Sequence, residues 1–486
     1  MTAAVPAGAA VPATAEEVPA DVLARTRALL IARIAIGLYL LELLLNLTRP
    51  KLQDNEPTLT IFQHLPKTSG SLGRLLAMPK AVFWTVIAGI VIGAALQAFV
   101  AITRPEGRRA ANLTWATLAA LLGPVALFSL TVVAIYPLQA LICVPGTAFV
   151  LWLLHHGQRF ARMPLSMLLT GFGWGALLVF GLSRAYGGLL FGAVNAYMAK
   201  GAHNDMNALL KTQYRVTDFL LLHMEVVNAL VLAGGILVLT AMFRHRLDLV
   251  TGLILGAAIG LGYNLVESVL FIKLFGSLGA INGATAGFEF WIRQSIGLLG
   301  SQVAFGAVLG AAMGLAAQHH NKRFAYLGLA AAIGGAIGTE NLAPWLAHQA
   351  DVTAGSPADT LIASPFFWLL PQAPFIITAA LLLRTGLRTR AAEARAAISA
   401  ELSAGPAITR AEAPYLMDPS LRLWSLYQTW RHHGLPTART LHKIQTTQLS
   451  LAARRRQHQQ SGDPHTHKQA ADLQTKVMNL KTGAEQ

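Results

Sequence analysis

Ten apolar runs, most of them about as long as a bilayer is thick, constrain this chain more than any other feature. They fall at roughly 29–47, 81–102, 113–135, 138–154, 165–184, 217–242, 250–272, 294–316, 325–347 and 362–383. In lipid, every backbone N–H and C=O must find its partner inside the protein, which leaves helices or closed barrels. Runs this long and this apolar select helices. The expected fold is all-α: a polytopic transmembrane helical bundle of about ten spans. Composition agrees, with 54% hydrophobic and 13% charged residues, where a soluble chain would be about a quarter charged. Only Tyr136 and Pro137 separate the third and fourth runs, and Pro344 is expected to break the ninth.

Charge sets the orientation. The formal net charge is +15, and the Lys and Arg are not spread evenly. Arg25 and Arg27 precede the first run, and every second loop is then basic: Arg104, Arg108 and Arg109; Arg159 and Arg162; Arg244 and Arg246; Lys322 and Arg323. The loop at 348–361 has neither Lys nor Arg. The positive-inside rule then gives a multi-pass plasma-membrane protein with both termini cytoplasmic. One loop disagrees: residues 48–80 carry Arg49, Lys51, Lys67, Arg74 and Lys80 on the outer side. The single cysteine, Cys143, excludes an internal disulfide and a multi-cysteine metal site.

Two segments flank the spans. Residues 1–28 form an Ala/Pro leader without the basic-then-apolar order of a signal peptide, and are expected to be disordered. Residues 385–486 form a basic cytoplasmic tail, with roughly two Lys or Arg for each acid. Within it, LRLWSLYQTWRHH is aromatic and basic enough to lie on a membrane surface. The stretch ARRRQHQQSGDPHTHKQ is polar and expected to be disordered. An anionic lipid surface accounts for the tail's charge more simply than nucleic acid, which is not expected as a partner.

Ionisable groups inside spans are functional candidates by default. They are few: Arg33 and Glu42 in the first, Glu225 in the sixth, Glu267 in the seventh and Glu340 in the ninth, with neutral but polar Gln302 in the eighth. Arg33 and Glu42 are near opposite span ends and can snorkel. The other four lie 15 to 18 residues from the cytoplasmic ends of their spans, or ~22–27 Å at helical rise. Four polar groups on four consecutive antiparallel helices therefore share one layer in the outer half of the membrane. Asn228 is one turn from Glu225 and Tyr263 one turn from Glu267, which puts each pair on one face. Gly252, Gly256 and Gly260, and again Gly306, Gly310 and Gly314, form small-residue stripes that let helices approach closely. Carboxyls sharing a low-dielectric layer do not all ionise, which is the condition for general acid and general base work. A proton-coupled transporter would use the same groups.

The stretch GLGYNLVES, preceded by the basic RHRLDLVTG, resembles the second motif of the PrsW-type glutamic intramembrane proteases, a family related to the membrane CAAX prenyl proteases. Tyr263 and Glu267 match its aromatic and its Glu, and MPLSMLLTGFGWGALLVFG is similar to its Pro-then-FxWGA helix. The likeness spans roughly 160–350. It implies an intramembrane endopeptidase that cleaves a single-span, membrane-anchored regulatory protein near the outer face. On that likeness Glu267 is the leading base, Glu225 its partner, Gln302 a polar stabiliser, and Glu340 and Asn341 the polar residues of the last motif. The chain departs from the pattern in places. In HMEVVN, Met224 stands for the first Glu and Asn228 for the Lys; Ser268 follows Glu267; Gln302 stands for a histidine, and IGTENLAPW lacks another. Zinc needs three protein ligands, commonly His or carboxylate; Glu225, Glu267 and Glu340 could in principle hold a metal, but without imidazole no cofactor is expected. A catalytically inactive pseudoprotease that binds membrane helices is the alternative that these departures raise.

Overall fold

The computed structural model describes residues 20–47, 71–184, 206–277, 286–350 and 356–483 with Val194, Tyr197 and Met198, apart from positions 104, 106, 159, 161, 244, 405, 462 and 463. Helix is the only regular structure among the described residues. Helices α1 (Ala20–Leu47), α2 (Ser71–Thr103), α3 (Gly107–Ile135) and α4 (Pro137–His156) come first. α5 (Leu165–Trp174) runs on into a π-helical turn, Gly175–Val179. α6 (Met206–Met242) and α7 (Leu249–Ser277) follow. Short α8 (Ala286–Phe290) leads through π-helical Trp291–Ile296 into α9 (Ser301–His319). Then come α10 (Lys322–Gln349), α11 (Ser364–Leu369) and α12 (Ala373–Ala404). Beyond them lie α13 (Ala413–Met417), α14 (Pro419–Ser461) and α15 (Pro464–Thr482).

Among the described residues, seven helices are long and apolar enough to cross a membrane, or eight if the pair 361–369 and 373–402, bent by 63°, is one span. The molecule is therefore an all-α, multi-pass helical bundle. The ten apolar runs lie on helix except where the eighth is interrupted at Gly300 and the tenth at 370–372, but α1 and α10, which hold the first and ninth, are not among the seven. Pro137 opens α4 at a position whose N–H has no helical partner anyway, so one residue suffices to part α3 from α4. Pro344 does not break its helix: α10 runs through it to Gln349. It withholds only the N–H that the carbonyl of Glu340 would otherwise receive.

α7 is the axis of the bundle, with 94% of its most apolar window buried. The glycine stripes explain how it gets there. A Cβ on Gly252 would lie 2.0 Å from the Gly310 carbonyl oxygen, one on Gly256 2.0 Å from that of Gly306, and one on Gly260 2.0 Å from that of Gln302. Backbone fills the space where a side chain would stand, so α7 and α9 meet carbonyl to Cα. α5 approaches the other side of α7 in the same way, with Gly175 against the carbonyl of Ile259 and Gly262 against that of Phe172. Helices held this close leave little freedom to the side chains at the ends of their contact, and Gln302 is one of these.

The flanking segments differ from expectation. The leader predicted at 1–28 gives way to α1 at Ala20, so its last nine residues are helical; residues 1–19 lie outside the described residues, as does 48–70 of the disagreeing loop at 48–80, whose remainder is not loop but the start of α2. Arg33 is exposed on α1, where its Nη2 donates to Gln97 Oε1 of α2 at 3.4 Å, and the side chain of Glu42 lies outside the described residues. The tail folds. ARRRQHQQSGDPHTHKQ was expected to be disordered, yet α14 runs to Ser461 and α15 starts at Pro464. The reason lies on either side of the polar stretch: Leu449, Leu451, Ala452, Ala470 and Val477 are all buried against α12 or one another. Arg455 joins the same contact, paired with Glu401 at 2.5 Å and donating to Gln474 at 2.6 Å. Phe160, from the α4–α5 loop, enters this core beside Ile398 and Leu416, so the tail docks on the bundle.

Candidate functional site

Most of the layer anticipated from depth gathers around the C-terminal half of α7, with Glu340 at its margin. α6 contributes Glu225 and Asn228, one turn apart, and α9 contributes Gln302 from its first turn. Gln302 Nε2 donates to Glu225 Oε2 at 2.7 Å. Asn228 Nδ2 donates to the Tyr263 hydroxyl at 3.4 Å, and that hydroxyl donates to Glu267 Oε1 at 3.2 Å. Tyr263 and Asn228 are almost wholly buried. The phenol ring is fixed by Phe180, edge-on at 5.6 Å.

Two arginines complete the cluster. Arg184 Nη2 lies 3.3 Å from Glu267 Oε1, and Arg293 Nη1 lies 3.6 Å from Glu267 Oε2. Arg293 Nε also donates to Glu289 at 3.0 Å. Both guanidinium groups stand over the Phe271 ring, at 5.1 and 4.5 Å from its centroid, and Arg184 also meets Phe180 at 5.4 Å. Aromatic faces of this kind hold cations that have been taken out of water. The π-helical turn after Trp174 re-aims the end of α5, and such turns frequently mark functional segments. Arg184, Arg293 and Glu289 were not among the residues singled out from sequence. The signal was present: a carboxylate layer needs cations, and these two arginines sit at the end of the fifth run and just before the eighth.

The start of α9 is held from outside the cluster. Ser301 adopts φ 50°, in the left-handed region that non-glycine residues seldom occupy. Gln372, fully buried, accepts from the Ser301 amide at 2.5 Å and donates to Trp368 at 2.9 Å. The neighbouring Gln302 side chain is thereby aimed at Glu225. Glu340 is exposed at the cluster's margin, within electrostatic reach of Arg293, Glu267 and Arg184. Asn341 is not brought in: its amide donates to Ile337 on its own helix at 2.9 Å. His223 likewise turns to its own helix, 2.8 Å from the Phe219 carbonyl.

Several buried polar atoms here have no hydrogen-bond partner among the described residues: Asn228 Oδ1, Asn264 Oδ1, Ser183 Oγ and Arg184 Nε. Native interiors rarely leave such atoms unpaired, and a polar guest or water ordinarily satisfies them. The cluster therefore combines a carboxylate held by an amide, a carboxylate held by two arginines and a phenol, and unused donors and acceptors between them. Among the described residues no group of three or more His, Cys, Asp or Glu could hold a metal ion. Compared with known proteins, the chain matches no family model, no curated protein and no solved structure.

Proposed function

We propose that the chain is an intramembrane endopeptidase of the PrsW type, with ten helices crossing the plasma membrane, both termini cytoplasmic, and single-span membrane proteins as substrates. One observation carries the reading: two carboxylates in the same buried layer have opposite surroundings. Glu267 faces two guanidinium groups and a phenol, so removing its charge would take the carboxylate from Arg184 and leave Arg293 with Glu289. Glu225 meets the neutral amide of Gln302 and has carboxylates, Glu267 and Glu340, as its charged neighbours. Carboxyls whose surroundings differ in this way divide into a fixed anion and a proton carrier. We therefore give the leading role to Glu225 and the positioning role to Glu267, the reverse of what the motif likeness implies.

In this scheme Glu225 takes a proton from water as the water oxygen bonds to the scissile carbonyl carbon. The carbonyl oxygen gains the negative charge, and donors such as the amide of Gln302 offset it. The C–N bond then breaks, and the proton passes from Glu225 to the leaving amine. The orphaned polar atoms on Asn228 and Asn264 suit an unwound, polar stretch of substrate backbone, which lipid-facing surfaces would not accept.

A second reading, a pseudoprotease that captures helices without cutting, is favoured by the departures at Met224 and Gln302, which stand where the family has Glu and His. Purified protein in proteoliposomes, incubated with single-span reporter proteins, separates the two. The endopeptidase reading expects cleavage that falls by about a hundredfold or more in Glu225→Gln. Binding without product, in wild type and variant alike, would leave only the pseudoprotease.

A further inference from the structure

The tail carries a surface that the peptidase reading does not use. In α14, Gly434 has φ 81° and splits the helix in two. The halves fold back on each other: Gln445 Nε2 donates to Ser425 Oγ at 3.1 Å, a contact centred on the break. In an unbroken helix, residues 20 apart would be ~30 Å apart. The inner face of the first half packs in this hairpin. Its outer face is left apolar and exposed: Leu423 at 67%, Trp424 at 57%, Tyr427 at 44% and Trp430 at 53%. The three rings line the helix at spacings of three, with centroids 5.8 and 5.9 Å apart, the first pair tilted and the second edge-on. Exposed aromatic faces of this size mark an interaction surface.

Its position points to the occupant. The Arg422 guanidinium lies 5.9 Å above Phe160, on the loop that joins α4 to α5. α4 ends one turn earlier in an exposed aromatic file, Phe149, Trp152 and His156, with neighbouring centroids 6.1 and 4.9 Å apart. Files of this kind at a span end belong at the headgroup level of a bilayer. The ladder on α14 therefore hangs beside the point where α4 leaves the membrane. Asp418 caps the start of α14, but the charge further along is basic: Arg162, Arg422 and His156 all bear on His442, and exposed Arg431, His432 and His433 follow Trp430.

We propose that the first half of α14 is an interfacial helix, with Trp424, Tyr427 and Trp430 inserted among the headgroups and Arg162, Arg422 and Arg431 meeting the phosphates of anionic lipids. Aromatic belt, basic flank and a tether at the membrane surface are the parts such a helix needs. The proposal is independent of peptidase activity.

The test uses the full chain with Cys143→Ala and a spin label on Tyr427→Cys, in nanodiscs of phosphatidylcholine with or without phosphatidylglycerol. Trp430→Cys serves as a second label position. With anionic lipid, the label should collide with oxygen rather than with a water-soluble nickel chelate. Arg422→Gln and Arg431→Gln should each lower the ratio of docked to undocked label about fivefold. Three results would overturn the proposal. One is equal exposure to the chelate in both lipid mixtures at both positions. Another is protection in pure phosphatidylcholine on adding inorganic phosphate alone. The third is spin–spin broadening that vanishes on dilution with unlabelled protein, which would make a second copy the occupant.

Discussion

α7 carries an ion pair at each end, and the two are built differently. At its start, Arg390 of α12 grips Asp248 through Nη2 at 2.6 and 2.8 Å and through Nε at 3.1 Å, and reaches Thr251 Oγ1 at 2.6 Å. Asp248 also caps the helix, accepting from the Thr251 amide at 2.7 Å. Toward the other end, Glu267 has contacts of 3.2, 3.3 and 3.6 Å, with unsatisfied polar atoms close by. A bidentate pair that also caps a helix is a fastener, its capacity spent. A looser pair among unpaired groups keeps capacity for something not yet there. Charge burial alone does not separate structure from function on this helix. Completeness of hydrogen bonding does.

The contrast can be broken or sharpened by substitution, with chemical unfolding in detergent as the readout. The largest effect belongs to neither pair but to the contact between them. Gly256→Leu would drive a side chain into the Gly306 carbonyl and should remove more than about 3 kcal/mol, enough to abolish purification of a folded bundle. Asp248→Asn should come next, at about 3 kcal/mol, because Arg390 loses its partner while both are largely buried.

Acid provides an independent check on that fastener. Burial would raise the Asp248 carboxyl, but Arg390's charge and hydrogen bonds, with the Thr251 amide, outweigh it and hold the carboxyl below its ordinary value. A carboxyl lowered by folding contributes fully above its unfolded value near ~3.9, and the contribution is lost as pH falls through the folded value. Wild type should therefore lose stability below about pH 4 more steeply than Asp248→Asn. A parallel loss in both proteins would show that the pair does not hold α7.

The smallest effects decide the comparison at the candidate site. Glu267→Gln should cost about 2 kcal/mol, since Arg184 is left facing a neutral amide and Arg293 keeps only Glu289. Glu225→Gln should change stability by less than about 0.5 kcal/mol, because a glutamine carbonyl still accepts from Gln302. If the two costs came out equal, the division into fixed anion and proton carrier would fail.

The depth of Glu225, Glu267, Gln302 and Glu340 was legible because helical rise and the hydrophobic span are fixed lengths, and one count from each basic end places a residue. The glycine stripes were legible for the same reason of period. Arg184 and Arg293 were not, because at span ends a cation reads as a boundary marker rather than as a counter-ion. The side toward which Asn341 turns depends on rotamer, which period does not encode. The tail misled for another reason: ARRRQHQQSGDPHTHKQ is polar in itself, and its fold is decided by Leu449, Leu451 and Val477 on either side of it. Pro344 shows the limit of breaker rules in apolar helices, where one lost N–H is tolerated by the neighbouring structure.

α12 deserves a mechanical reading. Its 32 helical residues, Ala373–Ala404, make a shaft of ~48 Å. One end is embedded among the spans, and the other carries Ile398 in the tail's core. Midway, Gly386 lies flush against Leu249 and Val250, and Arg390 is bolted to Asp248, all at the root of α7. The tail is thus geared to the helix that bears Glu267. A displacement of the tail unit would reach the root of α7 through one helix and one bidentate joint.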